Sequence, residues 1–446
     1  MRQINMGIVA KAATLAATIA VALAAFGCAV NGQAVGTSAA RSQPLTTGAC
    51  VSCNLSGADL TEAKPEGGSF SDWVTAFRVR LSHSGAKAVT IASMLDGLEP
   101  DKRIIERDQS QPEFVRPIWS YLDIAVSDLR ISKGQKAYAS RRETIDAIAR
   151  HYGVRAEILL AIWGLESSYG VITGNNDVIR SLATLAWEGR RRDWAESQLI
   201  AAAQMIDRGF ATRDQLTGSW AGAMGQTQFI PTTYLEWSAD WDGDGRRNIW
   251  TNEFDALASA ANLLQQAGWQ VGAPVVMEVV VPDTFELDQW DPERSRLVSE
   301  WAKRGLLLVG DVPWAADNLM HSAKLELPAG RSGPGFLTFP NFEVIKRYNN
   351  STSYALGVAY LAERIAGGDA IVGPWPKDDV PLTSSQTREL QAALDALGFN
   401  SGQPDGLAGP NTRRALRDFQ RANALDADGY VSSSAFDKVM AAGVRK

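Results

Sequence analysis

Glu166 is the residue whose surroundings suit acid–base chemistry. It lies in the stretch Leu159-Leu160-Ala161-Ile162-Trp163-Gly164-Leu165-Glu166-Ser167-Ser168-Tyr169-Gly170. Gly153 should end the preceding helix, and residues 156–165 then run apolar with hardly a break. Leu159, Ile162, Trp163 and Glu166 fall at i, i+3, i+4 and i+7, so one helical face carries three large apolar side chains and one carboxylate. Ionising a carboxylate on such a face is costly, and desolvation raises its pKa. A neutral acid near pH 7 is what protonating a leaving group requires. The alternative is a buried Glu paired with an Arg, or one that points back to water. Two further stretches offer neutral hydrogen bonds and aromatic rings. Ser219-Trp220-Ala221-Gly222-Ala223-Met224-Gly225-Gln226-Thr227-Gln228-Phe229 combines small residues, which permit close backbone approach, with Ser219 and Gln228, whose groups suit sugars. A tight helix-packing loop would use the same residues. Tyr348-Asn349-Asn350-Ser351-Thr352-Ser353-Tyr354 is polar and aromatic ahead of an apolar helix, a pattern that a capping loop shares.

The elements that must position these residues are mostly helical. A helix opens near Phe70-Ser71-Asp72-Trp73, with Ser71 or Asp72 as its cap and Trp73, Phe77 and Leu81 on one side. A second helix, 143–151, leads into the Glu166 helix, and others are predicted over 179–186, 194–208 and 254–267. Beyond Gly268 the texture changes. Residues 275–281, 323–327 and 336–339 are strand-like, so the helical domain carries a small β-containing insertion.

A chain of 446 residues should hold two or three domains. The net charge of -6 argues against nucleic acid, which needs a concentrated basic surface. Three His (His83, His151, His321) and three Cys (Cys28, Cys50, Cys53) cannot form a closed zinc site at the usual spacings. Neither a G-x-S-x-G elbow nor a Walker-type glycine loop is present. Fourteen Trp is a high count, and Trp faces suit sugar rings, although Trp also fills cores.

The N-terminus reads as an export signal. Arg2 and Lys11 precede residues 12–25, a run of small and apolar residues too short to span a bilayer comfortably and built like a signal-peptide core. Ala25-Phe26-Gly27-Cys28 resembles a bacterial lipobox, which implies lipidation at Cys28 after removal of 1–27; ordinary cleavage behind the same small residues is the alternative. Residues 28–68 are rich in Gly, Ala, Ser and Thr and read as a flexible tether. Within it Cys50 and Cys53 can close a small disulfide in an oxidising compartment.

The three stretches occur together and in order, and their combination resembles the membrane-bound lytic murein transglycosylase B family over most of residues 69–375. The resemblance implies a mainly α, lysozyme-like catalytic domain that cleaves peptidoglycan, in the periplasm and, through the lipid, at the outer membrane. Residue by residue it implies Glu166 as the single catalytic acid/base and Ser219, Gln228, Tyr348, Asn349 and Tyr354 as cleft residues. Gln226 and Thr227 stand where the family commonly has an aromatic and a Gly. Two-carboxylate hydrolysis needs a second Asp or Glu across the scissile bond, and the three stretches offer no evident candidate. The resemblance implies instead that Glu166 protonates the glycosidic oxygen, the substrate's 2-acetamido group stabilises the cation, and Glu166 then deprotonates the sugar's 6-hydroxyl to close a 1,6-anhydro ring. No cofactor is implied for catalysis.

Asp240-Trp241-Asp242-Gly243-Asp244-Gly245 resembles the start of an EF-hand loop, with oxygens at positions 1, 3 and 5 and Gly at 6. Arg246 would add a carbonyl at position 7. Position 12 is Thr251 rather than Glu. The family closes a similar loop with a later Asp, which corresponds here to Asp255, with Glu253 as a rival. The expectation is a structural Ca²⁺; a metal-free Asp-Gly turn is the alternative.

Gly367-Gly368 and Gly373-Pro374-Trp375-Pro376 mark a boundary, with 376–383 as a linker. Residues 384–446 form a separate small module in which Asp405-Gly406 and Asp428-Gly429 each precede a helix, making a short pseudo-repeat. Its pattern, with Leu390-Gln391, Thr412, Phe419-Gln420 and Leu425, resembles the three-helix peptidoglycan-binding domain, which implies a role in holding the enzyme on the wall. The competing readings are a muramidase-type hydrolase on the same fold and a peptidoglycan-binding scaffold that does not cut.

Overall fold

The computed structural model describes residues 68–109, 116–310 and 312–443. The expected signal peptide, Cys28, the tether and the Cys50/Cys53 pair lie outside the described residues. Among the described residues no helix is long and apolar enough to cross a membrane.

The first part is helical: α1 (Phe70–His83), α2 (Ala88–Leu95), α3 (Lys102–Gln109), α4 (Ile118–Ala125), α5 (Asp128–Tyr152), α6 (Ala156–Ser167), α7 (Val178–Glu188), α8 (Arg192–Asp207), α9 (Pro231–Trp237) and α10 (Glu253–Gln266). The cap of α1 is Ser69, earlier than expected. Its hydroxyl accepts the Asp72 N–H at 3.2 Å while the Asp72 carboxylate accepts the Ser69 N–H at 2.8 Å, a reciprocal pair that satisfies two otherwise orphaned donors. Trp73, Phe77 and Leu81 are buried along one side as their spacing predicts. The helix expected over 143–151 begins fifteen residues earlier, at Asp128, and is kinked at Arg141. Its first half buries only Ile131, Gly134 and Ala137, a stripe too weak to read from sequence.

The helix α6 is the centre of the domain. Ala156 and every residue from Ile158 to Ser167 are buried, so the single apolar face expected from its spacing is in fact one side of a helix covered all round. The elements that cover it are α5, α10 and a later helix, α13 (Thr352–Ile365). Gly164 sits mid-helix, where Gly costs about 1 kcal/mol relative to Ala. A Cβ there would meet the Tyr169 ring and hydroxyl at 2.6 Å. Tyr169 therefore folds back over the helix, and its hydroxyl donates to the Arg130 carbonyl at 2.7 Å. The Arg130 guanidinium in turn donates to the carbonyls of Ile124, Ala125 and Gly164, binding the ends of α4 and α6 together.

The insertion is a five-stranded antiparallel sheet. Its strands are β3 (Val276–Val280), β4 (Arg296–Leu297), β5 (Leu307–Leu308), β6 (Ser322–Glu326) and β7 (Gly335–Thr338), in the order β4-β6-β7-β3-β5; the two-residue strands β1 (Asn176–Asp177) and β2 (Thr217–Gly218) pair separately in the helical domain. Three of the five strands match the expected ones; β4 and β5 are too short to carry an alternation signal. The helix α11 (Val298–Lys303) covers the sheet, and Val279, Phe285, Trp290, Trp301, Leu325 and Leu337 belong to a core distinct from that around α6. The sheet leads back through α12 (Pro340–Tyr348) to α13.

The C-terminal module holds α14 (Ser384–Ala396), α15 (Pro410–Ala422) and α16 (Ser433–Gly443) around Leu390, Leu394, Leu416, Phe419 and Val439. The segment expected as a linker is largely part of this module. Leu382 is in its core, Pro381 bridges to Ser432, and Thr383 caps α14. Nor is the module a free tail. The Arg331 N–H donates to Asp428 Oδ2 at 3.0 Å, and the Arg421 guanidinium donates to the carbonyls of Asp288 and Trp290. A cavity of about 650 Å³ remains between module and insertion.

Candidate active site

Glu166 occupies the last turn of α6, where the chain leaves the helix through three successive left-handed residues, Ser168 (φ 52°), Tyr169 (φ 63°) and Gly170 (φ 82°). Two of the three carry side chains, so the exit is strained and must be held by its neighbours. Glu166 as a whole residue keeps 8% of its surface open. Among the described residues its one hydrogen bond comes from the Tyr354 hydroxyl, which donates to Oε1 at 2.6 Å. Burial lifts the Glu166 pKa from 4.5 to about 7, and the Tyr354 bond pulls the other way. The apolar helix face thus raises the pKa as expected, and among the described residues no Arg pairs with Glu166.

Tyr354 lies in the first turn of α13, whose cap is Ser351. Its ring stacks on Tyr348 at 6.4 Å between centroids, and the Tyr348 hydroxyl donates to the Thr227 carbonyl at 2.5 Å. The polar aromatic segment thereby joins the Ser219–Phe229 loop to the acid. Burial raises both phenols well above 10, with the charge of Glu166 adding to the shift, so they remain neutral donors. Tyr354 is fully buried and its hydroxyl is committed to Glu166, a geometry that sets the acid rather than offering a free group to a ligand. Asn349 is buried where the chain leaves α12.

The loop is folded on itself. Met224 and Phe229 exchange backbone hydrogen bonds at 2.9 and 3.0 Å, and the Ser219 hydroxyl accepts the N–H groups of Ala221 and Ala223. Gln228 takes a positive φ of 53° and donates through Nε2 to the carbonyls of Thr173 and Gly225. The stretch is a tight loop, and Gln226 ties it to α6 through the indole N–H of Trp163.

Sequence reasoning missed Tyr121. It sits on α4, is 9% exposed, and its buried hydroxyl has no hydrogen-bond partner among the described residues. Burial raises its pKa, and the charge of Glu166 adds to the rise. In sequence Ile118-Trp119-Ser120-Tyr121-Leu122 reads as core, and nothing local distinguishes this tyrosine.

In the acidic loop the side chains of Asp240, Asp242 and Asp244 converge, with one oxygen of each within 4.8 Å of the others. Backbone N–H groups of Gly243, Gly245, Asp244 and Arg246 point at these carboxylates and shape the loop. Asp255, the expected closing ligand, lies behind these three. It is fully buried outside that cluster, and its two oxygens accept the N–H groups of Trp241 and Asn248, each at 2.8 Å. Asp255 thus clamps the two ends of the loop from behind. Glu253 pairs with Arg141 at 2.9 Å and is no substitute.

A helical scaffold packed round the buried Glu166 carboxylate, with tyrosines as its polar company, defines the class: a lysozyme-like domain. The chain belongs to the transglycosylase SLT domain family, which residues 69–363 match; residues 383–438 match the family described as a peptidoglycan binding domain. It resembles SltB3 from Pseudomonas aeruginosa, solved in complex with NAG-anhNAM-pentapeptide, at 44% identity and a TM-score of 0.81, covering 84% of this chain and 100% of that one. It is 31% identical to membrane-bound lytic murein transglycosylase B of Escherichia coli (strain K12) over 221 residues, 48% of this chain and 58% of that protein. The chain therefore spans little more than half the length of that curated relative. The Escherichia coli lytic transglycosylase Slt35, solved in complex with calcium, is 25% identical with a TM-score of 0.57, covering 68% of this chain and 98% of the other.

Proposed function

We propose that this chain is a lytic transglycosylase that cleaves the β-1,4 bond between MurNAc and GlcNAc in peptidoglycan and leaves 1,6-anhydro-MurNAc ends. The observation that carries the reading is Glu166: a buried carboxyl with a pKa of about 7 and one hydrogen bond. Such a group gives up a proton and takes one back at neutral pH, as a single residue acting first as acid and then as base must do. Among the described residues, no second carboxylate takes part in its hydrogen bonds or in the interactions that shift it; the groups that feel its charge are Tyr121, Tyr348 and Tyr354.

The steps follow. Glu166 donates its proton to the glycosidic oxygen as the bond from that oxygen to C1 of MurNAc breaks. The carbonyl oxygen of the 2-acetamido group bonds to C1 and takes up the positive charge. The Glu166 carboxylate, stabilised by the Tyr354 hydroxyl, then removes the proton of the 6-hydroxyl, whose oxygen attacks C1 and expels the acetamido oxygen. The acid is regenerated and no water is consumed. The test is mass spectrometry of muropeptides released from purified peptidoglycan by the protein and by Glu166→Gln. Products ending in 1,6-anhydro-MurNAc, absent with the variant, support the reading; reducing-end products would make the protein a hydrolase.

The finer parts of the reading are a wall-holding role for the C-terminal module, a lipid anchor and a structural cation. Retention on isolated murein should fall when residues after Pro376 are removed. Export to the periplasm with outer-membrane anchoring rests on the Ala25–Cys28 motif, and radiolabelled palmitate should enter the wild type and not Cys28→Ala. Ca²⁺ fits Asp240, Asp242 and Asp244 with the Arg246 carbonyl, hard oxygen donors on a loop whose ends Asp255 fixes. Such an ion would supply loop rigidity. Calorimetry on chelated protein showing no Ca²⁺ binding would remove that part alone.

A further inference from the structure

Gln226 is a buried amide, 6% exposed. Its Oε1 accepts the indole N–H of Trp163 at 2.9 Å, a buried bond, and its Nε2 donates to the Trp250 carbonyl at 3.4 Å. Its backbone N–H donates to the Ile249 carbonyl at 2.8 Å. The partners fix the orientation of the amide, because an indole N–H only donates and a carbonyl only accepts. Trp163 is one turn before Glu166 on α6, and the same indole lies under the Arg141 guanidinium, 5.8 Å from the ring centroid, while Arg141 pairs with Glu253. Two independent contacts therefore run from Trp163 to the segment 249–253, which closes the acidic loop. The Gln226 amide also packs over the strained helix exit: a Cβ on Gly170 would fall 2.4 Å from Oε1.

We infer that Gln226 is a positioning residue for the cleavage step, tying the catalytic helix to the Ile249–Trp250 backbone and fixing Glu166 through Trp163. The inference rests on the acid role of Glu166 proposed above. A lost tether lets the last turn of α6 and its exit shift. A displacement of the acid by about 1 Å is enough to cost up to a hundredfold in rate while ground-state binding survives. The effect should therefore fall on kcat rather than on KM.

The experiment is a double-mutant cycle on muropeptide release with Gln226→Met, Trp163→Phe and the pair. Each single variant should lose about tenfold in kcat with KM changed less than about twofold, and the double variant should be no worse than the poorer single. Additive losses, or losses confined to KM, would overturn the inference. If Gln226→Met fails to fold, Trp163→Phe alone decides: it removes the donor, leaves Gln226 in place, and must reproduce the kcat loss with an unchanged melting temperature. Wild-type kcat in these variants with a dead Glu166→Gln would sink this inference and leave the proposed function intact. Continued cleavage by Glu166→Gln would instead sink the proposed function.

Discussion

Glu166 and Asp379 are both carboxylates in folded surroundings, and their environments push them in opposite directions. Glu166 lies in the last turn of a buried helix and receives one hydrogen bond. Asp379 lies ahead of α16 and receives four, from the hydroxyls of Ser432, Ser433 and Ser434 and the N–H of Ser434. Burial works against both charges. At Glu166 it wins and the pKa rises to about 7; at Asp379 the serine donors outweigh it and the pKa falls below 3.8. Asp255 stands between them, with two backbone donors and a pKa still raised by burial. The number of donors that reach a carboxylate decides whether burial makes it an acid or a structural anion.

The largest test of this contrast is Glu166→Gln. It should lower kcat by about a thousandfold, a typical loss for a general acid–base group. It should also stabilise the protein above pH 7. Between pH 4.5 and 7 the folded state holds a proton that the unfolded state has released, so stability falls as pH rises through this window. Removing the ionisable group removes that loss, worth roughly 3 kcal/mol from a shift of this size. Thermal melts at pH 5 and pH 8 check it: the variant should gain over wild type at pH 8 only. Next comes Tyr354→Phe, which deletes the one donor. The carboxylate loses about 1–2 kcal/mol of stabilisation, so the pH–activity limb belonging to Glu166 should move upward by about one unit. A limb that stays in place would show that Tyr354 does not set the acid.

Much of this contrast was legible in the sequence, for physical reasons specific to each residue. Glu166 stood out because a charge on an apolar helix face breaks a local rule without a local partner. Tyr348 and Tyr354 could be placed near it only through family resemblance, since their approach closes about 190 residues of chain. The pseudo-repeat was visible and proves chemically faithful: Gln391 bridges Asp405 and the Gly406 N–H, as Gln420 bridges Asp428 and the Gly429 N–H. What the sequence withheld were tertiary bonds between unremarkable groups. Tyr121 reads as core, and 376–383 reads as a linker because the serines that capture Asp379 lie more than fifty residues away. Docking of the module was equally hidden, since it rests on backbone carbonyls of the insertion.

The smallest expected effect tests the structural anion. Asp379→Asn keeps size and removes the charge that four donors address, and should destabilise the module by about 1–3 kcal/mol at pH 7. Because the folded pKa of Asp379 is lowered, its contribution is full above 3.8 and is lost as pH falls through the folded value. Wild type and variant should therefore converge in stability on acidification, the reverse of Glu166→Gln, whose advantage appears on the alkaline side. Cleavage of short soluble muropeptides should be unchanged, because Asp379 belongs to the module and Glu166 to α6. Hydrogen exchange localises the effect: amides of α14 and α16 should lose protection while those of α6 keep it. A variant that also slows soluble-substrate cleavage would mean that the docked module supports the geometry of the acid, and that the two carboxylates, opposite in chemistry, are mechanically one system.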